Sequence, residues 1–287
     1  MVDTPLESTI PPHTPIAPTQ TPAPYLGGKR KLARRVIERI EQVPHATYAE
    51  PFVGMGGVFF RRRLKPSLEV INDISGDVAT FFRVLQNHHQ AFMDMLKWQL
   101  PGRAEFDRLA GQDPERLTDL QRAARFFYLQ RLSYAGKVRH RSFGVYPPSV
   151  AKFDIHALAG RLADIHQRLS GVVIERKPFA DLLTLYDRPE TLFYLDPPYF
   201  GNETDYGKDV FSRDDFTALA DQLRGIKGRF LVSINDTPEI REAFDGFHME
   251  EVVLTYSAPK GDAAPAKELI IADSAPDGLV NGQGALL

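Results

Sequence analysis

The 287-residue chain contains no cysteine, which excludes a disulfide scaffold, Cys-ligated zinc and Cys-based nucleophilic catalysis. Its eight histidines never fall at the HxH or HxxxH spacing that would present two imidazoles to one metal ion. They are read as surface residues, and no metal site is expected. No apolar run approaches the ~18 residues of a membrane span, and the N-terminus lacks the basic-then-apolar form of a secretory signal. A cytoplasmic protein with no membrane partner is the expectation. Nor is there an excess of either charge: Lys+Arg is 35 and Asp+Glu is 37. Any surface for a polyanion must therefore be a local patch and not the overall field of the molecule.

With 43 % hydrophobic residues, the chain has enough apolar material for one large domain or a core with an insert. Residues 1–24 carry seven prolines and almost no apolar periodicity. Proline removes backbone donors and favours extended conformations, so this stretch reads as a disordered tail; a docking motif is the alternative. From Tyr25 the texture changes. Leu32, Val36, Ile37 and Ile40 recur at helical spacing. Strands are expected at 46–52, 68–71, 171–175, 191–195, 229–234, 249–255 and 268–272, and a helix at about 155–168. Strands alternating with helices argue for an open, mainly parallel sheet. The mostly helical stretch between the second and third strands is too long for a crossover and reads as an insert. It ends in a Gly-, Ser-, aromatic- and Arg-rich loop or hairpin at 133–148.

Three stretches carry chemistry. Glu50-Pro51-Phe52-Val53-Gly54-Met55-Gly56-Gly57 lies between a strand and an expected helix start, where glycines let a ligand approach the backbone. Phe59 stands where the dinucleotide fingerprint needs its third glycine, so the turn suits NAD poorly; a merely structural turn is the competing reading. Asp73 ends the next strand, the position from which an acid commonly accepts ribose hydroxyls, although a helix N-cap is an equal contender. The strongest signal is Leu192-Phe193-Tyr194-Leu195-Asp196-Pro197-Pro198-Tyr199. An apolar strand delivers an acid, two prolines and an aromatic to its carboxyl end, where open α/β sheets bind ligands. Asp196 and a proline carbonyl offer two adjacent acceptors, matching the two protons of an exocyclic amine, and Tyr199 offers a stacking surface. A proline-terminated strand with a capping Asp is the bland alternative.

Asp196-Pro197-Pro198-Tyr199 resembles the hallmark of amino-group DNA methyltransferases that use S-adenosylmethionine. Tyr25-Leu26-Gly27-Gly28-Lys29, the glycine turn, Asn72-Asp73-Ile74, Tyr128-Leu129-Gln130-Arg131, the 136–139 stretch and Glu268-Leu269-Ile270 are similar to the Dam-type adenine-N6 branch, and in the same order. The resemblance spans about residues 24–272. It implies a Rossmann-like methyltransferase sheet, mainly parallel with an antiparallel closing strand, and an inserted, mostly helical DNA-recognition subdomain. On this reading, 25–80 and 165–273 form the catalytic domain, 81–164 the insert, and 274–287 a tail. It also implies S-adenosylmethionine as cofactor, S-adenosylhomocysteine as product, and double-stranded DNA as partner, with a restriction endonuclease as a conceivable counterpart. Tyr25, Lys29, Glu50, Phe52, Gly54, Gly56, Asp73 and Asp196 match cofactor positions. Phe179 matches one near the cofactor adenine more weakly, and a packed aromatic is an equal contender there.

Between Leu120 and Phe153 there is no acid, while Arg122, Arg125, Arg131, Lys137, Arg139, Arg141 and Lys152 give +7. Together with Tyr134, Phe143 and Tyr146, this basic, aromatic-interleaved run reads as the DNA contact, against a solvated basic face. The family's usual Asn-Gly in this hairpin is Ala135-Gly136 here. The expected activity is methyl transfer to N6 of a flipped adenine by Asp196, Pro197, Pro198 and Tyr199. Cytosine-N4 methylation is the rival within enzymes, and a DNA-binding regulator with a vestigial cofactor pocket the rival outside them.

Overall fold

A computed structural model describes residues 10–25, 32–144, 153–203, 211–255 and 265–274. In chain order the strands are β1 (Thr14–Pro15), β2 (Thr47–Glu50), β3 (Leu64–Lys65), β4 (Leu68–Asn72), β5 (Val173–Glu175), β6 (Thr191–Leu195), β7 (Arg229–Asn235), β8 (His248–Thr255) and β9 (Pro265–Ala272). The α-helices are α1 (Ala33–Gln42), α2 (Gly76–Asn87), α3 (His89–Leu96), α4 (Arg103–Ala110), α5 (Asp119–Leu132), α6 (Ile155–Arg168), α7 (Phe179–Tyr186), α8 (Arg213–Arg224) and α9 (Pro238–Ala243). Seven strands form one sheet in the order β5-β4-β2-β6-β7-β9-β8, parallel from β5 to β7 and antiparallel on both sides of β9. This is the Rossmann-like arrangement, with the order reversing between β2 and β6. Every residue of β6 is buried, as expected of a central parallel strand covered on both faces.

The helices follow local signals. Val36, Ile37 and Ile40 bury one face of α1. A capping box joins Thr118 and Gln121 at the start of α5, and the Asp154 carboxylate accepts from the first backbone N–H groups of α6. Such caps contribute about 1 kcal/mol each. By contrast, the helix expected directly after the glycine turn is only a 3-10 turn, Phe59–Arg61.

Two expectations about organisation change. The chain positions 80/81 and 164/165, expected as domain boundaries, fall inside the continuous helices α2 and α6. One apolar core runs from Tyr48, Ile71 and Leu192 of the sheet through Phe60 and Phe82 to Phe92, Phe106, Phe126 and Phe127 of the insert. The insert thus shares a core with one sheet face, while a second core fills the other. The Pro-rich leader is likewise no tail over residues 10–24. β1 pairs with β3, the Ile16 N–H donates to the Arg63 carbonyl (2.9 Å) and the Thr19 N–H to that of Phe60 (2.8 Å). Ala23 is buried. Its prolines sit where the docking needs no N–H, which composition alone does not reveal. Residues 1–9 and 275–287 lie outside the described residues.

A buried triad staples the sheet to α6. Glu69 of β4 accepts from Arg62 (2.7 Å) and from both Arg168 end nitrogens (2.6 Å each). Arg62 lies over the Tyr48 ring at 3.7 Å and Arg168 over Phe59 at 4.0 Å. The histidines are not all superficial. His45 is buried, accompanied by His13 (ring centroids 4.4 Å apart), and burial pushes its pKa down to about 3, so it is neutral. Among the described residues no helix is long and apolar enough to cross a membrane.

Candidate active site

A cleft of about 1230 Å³ opens at the carboxyl ends of β2, β4 and β6, the switch point of the sheet. Three strand ends supply its functional groups. After β2, Gly54 adopts φ +51°, and a Cβ there would lie 2.8 Å from Cε1 of Tyr25, so the tyrosine ring packs directly on the turn. The Gly54 N–H donates to Asp73 Oδ2 at 3.0 Å, while Asp73 Oδ1 accepts from the Ser75 N–H at 2.9 Å. Asp73 therefore faces the cleft and also braces the turn and the backbone that leads into α2, although the N-cap of that helix is Ser75 and not Asp73. Burial pushes its pKa up to about 6 against the pull of those two N–H groups.

Asn72 fixes the strand ends relative to each other. Its Nδ2 donates to the carbonyls of Pro51 (2.8 Å) and Lys177 (3.0 Å), and its Oδ1 accepts from the Lys177 N–H (2.8 Å). That clamp sets one wall, Pro51, Phe52, Ile74, Lys177, Pro178, Phe179 and Phe211. Phe179 meets Phe52 at 5.6 Å and Phe211 at 5.8 Å between centroids, so it is both a packed aromatic and a cleft residue.

Beyond β6, Asp196, Pro197, Pro198 and Tyr199 all line the cleft. Ser233 of β7 lies behind Asp196, donating to its Oδ1 at 3.4 Å, and is itself paired with Tyr194 at 2.7 Å. The Tyr199 hydroxyl donates to Glu268 of β9 at 2.7 Å, which restricts the ring. Asn235 brackets Phe200, accepting its N–H at 2.9 Å and donating to its carbonyl at 3.1 Å. The antiparallel closing strand thus has a role at the site that a reading of the motifs one by one does not supply.

Not every expected residue reaches the cleft. Glu50 is buried one layer below, bonded to the Tyr48 hydroxyl at 3.1 Å, and its Oε2 has no partner among the described residues. Burial pushes its carboxyl up to about 8. Gly56 is also internal, since a Cβ there would collide with the Phe60 ring. Lys29 lies outside the described residues. Conversely Gln20, Thr21 and Pro24 of the leader, Arg61, Arg161 and Lys177 line the cleft without any local sequence signal.

The basic run divides. Arg122 is ion-paired with Asp77 (2.6 Å) and Glu115 (2.9 Å). Arg125 donates to the carbonyls of Leu109 (2.7 Å) and Ala110 (3.4 Å) at the end of α4. Arg141 donates to Gln130 at 3.2 Å, and burial lowers its pKa. These three serve the interior of the insert. Arg131 lines the cleft, with its pKa lowered to about 10 by burial and by Arg161. Lys137 and Arg139 are exposed on the loop after α5, beside Tyr134, which is 49 % exposed. That loop is hairpin-like: Ser133 bridges Phe143, and the Tyr134 N–H donates to the Ser142 carbonyl at 2.9 Å. Tyr146 and Lys152 lie outside the described residues.

A methyltransferase site, with a glycine turn, a strand-end acid and Asp196–Tyr199 on adjacent parallel strands, is what this geometry describes. The profile of the D12 class N6 adenine-specific DNA methyltransferases matches residues 25–258, and the chain belongs to that family. It is 25 % identical over 254 residues to the type II methyltransferase M.CviBI of Paramecium bursaria Chlorella virus NC1A, covering 86 % of this chain and 96 % of that protein. It is likewise 25 % identical to the type II methyltransferase M1.LlaDCHI of Lactococcus lactis subsp. cremoris over 272 residues (86 % and 93 %). The third relative is the Retron Ec67 DNA adenine methylase of Escherichia coli, 25 % identical over 269 residues (88 % and 90 %). The protein is a DNA adenine-N6 methyltransferase, and the family uses S-adenosylmethionine in general.

Proposed function

We propose that this protein methylates adenine N6 at specific sites in duplex DNA after flipping the nucleotide from the stack, with S-adenosylmethionine as donor. The observation that carries the reading is the meeting, in one cleft, of Asp196–Tyr199 with the Gly54 turn and Asp73. The residues fit the donor. The carboxylates of Asp73 and Asp196 suit a cationic ligand, and Ile74 and Phe179 suit a purine. Tyr25, Lys29, Phe52, Gly54, Asp73, Phe179 and Asp196 would hold it. When bound, it supplies an electrophilic methyl group on a sulfonium.

The protein's own residues do the rest. A base inside a duplex hides its amine, so it must leave the stack. Tyr199, its hydroxyl held by Glu268, would stack on the extruded adenine. Asp196 and the Pro197 carbonyl would accept hydrogen bonds from the two N6–H groups, and the one proton that N6 loses once the methyl is bonded would leave on the Asp196 side. Those hydrogen bonds turn the nitrogen lone pair out of ring conjugation, and the Asp196 charge opposes the positive charge that develops on N6. Much of the catalysis is thus orientation and preorganised electrostatics. Lys137, Arg139 and Tyr134 on the hairpin, with Arg131 at the cleft, would meet the DNA. Arg122, Arg125 and Arg141 serve the fold instead. Two of the relatives carry type II names, and a companion restriction endonuclease is the protein partner this reading admits.

The test is incubation with methyl-labelled cofactor and duplex DNA, followed by mapping of N6-methyladenine. Asp196→Ala should lower turnover more than a hundredfold, since a lost transition-state contact is worth ~3 kcal/mol, while duplex binding survives. Retention of a tenth of the wild-type turnover would remove Asp196 from the chemistry.

A further inference from the structure

Gln130 does not itself line the cleft or reach the exposed hairpin face, but it is fully buried at the junction of the two. Its side chain uses every group it has. Nε2 donates to the Pro24 carbonyl at 2.8 Å and to the Gly136 carbonyl at 2.7 Å, and Oε1 accepts from Arg141 at 3.2 Å. Pro24 precedes Tyr25, whose ring packs on the Gly54 turn. Gly136 and Arg141 lie on the hairpin that carries Lys137 and Arg139. The contact is also steric: Gly136 has φ +70°, and a Cβ there would come within 2.9 Å of the Tyr25 nitrogen. Hairpin turn and leader backbone therefore abut with no side chain between them. Arg131, the next residue, donates to the Pro22 carbonyl at 3.4 Å, a second tie between α5 and the leader.

From this stack we infer that Gln130 is a positioning residue that couples the cofactor cleft to the DNA hairpin. A ligand that presses Tyr25 onto the Gly54 turn fixes Pro24; Pro24 and Gly136 share one amide group; and the hairpin is thereby held in the position from which Lys137 and Arg139 reach DNA. The inference rests on the cofactor and DNA reading above. Coupling between two binding sites is reciprocal, so occupancy of either must tighten the other by the same factor.

The experiment measures duplex affinity with and without S-adenosylhomocysteine, and S-adenosylhomocysteine affinity with and without duplex, using fragments that the wild-type protein methylates. Each ligand should tighten the other about fivefold or more in the wild type. Gln130→Met should bring both ratios to within twofold of unity. Gln130→Glu, which keeps the acceptor for Arg141 but loses both donations, should behave like Gln130→Met. A merely structural role would lower thermal stability and both affinities but leave the ratio intact, and that result overturns the proposal. A wild-type ratio near one overturns it as well. Should the variants not fold, amide exchange on the wild type decides: the Tyr134 and Gly144 N–H groups, bonded to Ser142 and Leu132, should exchange severalfold more slowly when S-adenosylhomocysteine is added. Unchanged exchange would refute the coupling. Failure of wild-type methylation is a separate outcome, since it strikes the functional reading and not the geometry of Gln130.

Discussion

The cleft and the insert place charge in opposite ways. At the strand ends, Asp73 and Asp196 face a shared cleft, and the backbone that presents them is fixed by the Asn72 clamp and the Ser233 and Glu268 contacts. In the insert, a run that is strongly cationic in sequence is divided by the helix that carries part of it. Residues 123–130 of α5 are all buried, so Arg125 has no solvent face and is turned onto the carbonyl ends of α4. Only after α5 ends do cations reach the surface, at Lys137 and Arg139. A motif at the end of a parallel strand keeps its meaning because the strand fixes where it points; a charge run on a helix buried all round does not.

The largest expected effect in stability sharpens that contrast. Arg125→Ala takes from the Leu109 carbonyl its short charged donor, leaving only backbone N–H groups there, and removes a buried charge 3.9 Å from Asp77. It should destabilise the protein by about 3 kcal/mol, read from the denaturant midpoint. Replacing Lys137 and Arg139 together by Ala should stay within about 0.5 kcal/mol of wild type yet flatten the dependence of log duplex affinity on log salt by roughly 1.8, at about 0.9 per phosphate contact. A stable Arg125→Ala protein with a flattened salt dependence would reverse the assignment of interior and surface arginines.

The cleft side of the comparison is tested through pH. Glu50 has a folded-state pKa of about 8 against its ordinary 4.5 because it is buried. Between those values the folded protein holds more protons than the unfolded chain, so stability contributed by this group is complete below about pH 4.5 and is lost as pH rises toward 8. Asp73, pushed up to about 6 from 3.8, acts in the same direction over the lower part of the window. Glu50→Gln, which stays neutral, should abolish the decline between pH 6 and 8 while leaving one below pH 6. Parallel wild-type and variant curves across pH 6–8 would mean that Glu50 is ionised in the folded protein.

How much of this was legible follows the same division. The order of strands, the β6 motif and the Asp73 position are local patterns: apolar runs ending in polar punctuation, readable without partners. The layer in which Glu50 and Gly56 sit was not legible, because Glu50 closes the buried strand β2 and Gly56 is covered by the Phe60 ring, whereas residues 51–55 between them all line the cleft. The docking of residues 10–24 depends on β3 and on the Phe60 and Arg63 carbonyls, which lie far along the chain. Gln130 stands among residues that matched the family, but its work is done through Pro24, 106 positions away, and no spacing rule encodes that contact.

The smallest expected effect concerns left-handed backbone, which occurs both at the cleft and on the hairpin. At the cleft the residue is Gly54; on the hairpin it is Ala135, with φ 54° and ψ 18°. An L-residue in that region carries roughly 1–2 kcal/mol of strain, whereas glycine adopts it freely but loses more conformational freedom on folding, about 0.5–1 kcal/mol relative to Ala. The two contributions nearly cancel. Ala135→Gly should therefore stabilise the protein by only ~0.5 kcal/mol, a rise of about 1–2 °C in Tm for a chain of this size. Because Ala135 is exposed, there is no packing loss to obscure the measurement. A fall of several degrees would show that the Ala135 methyl group makes a stabilising contact, and the hairpin would then be as tightly specified as the glycine turn.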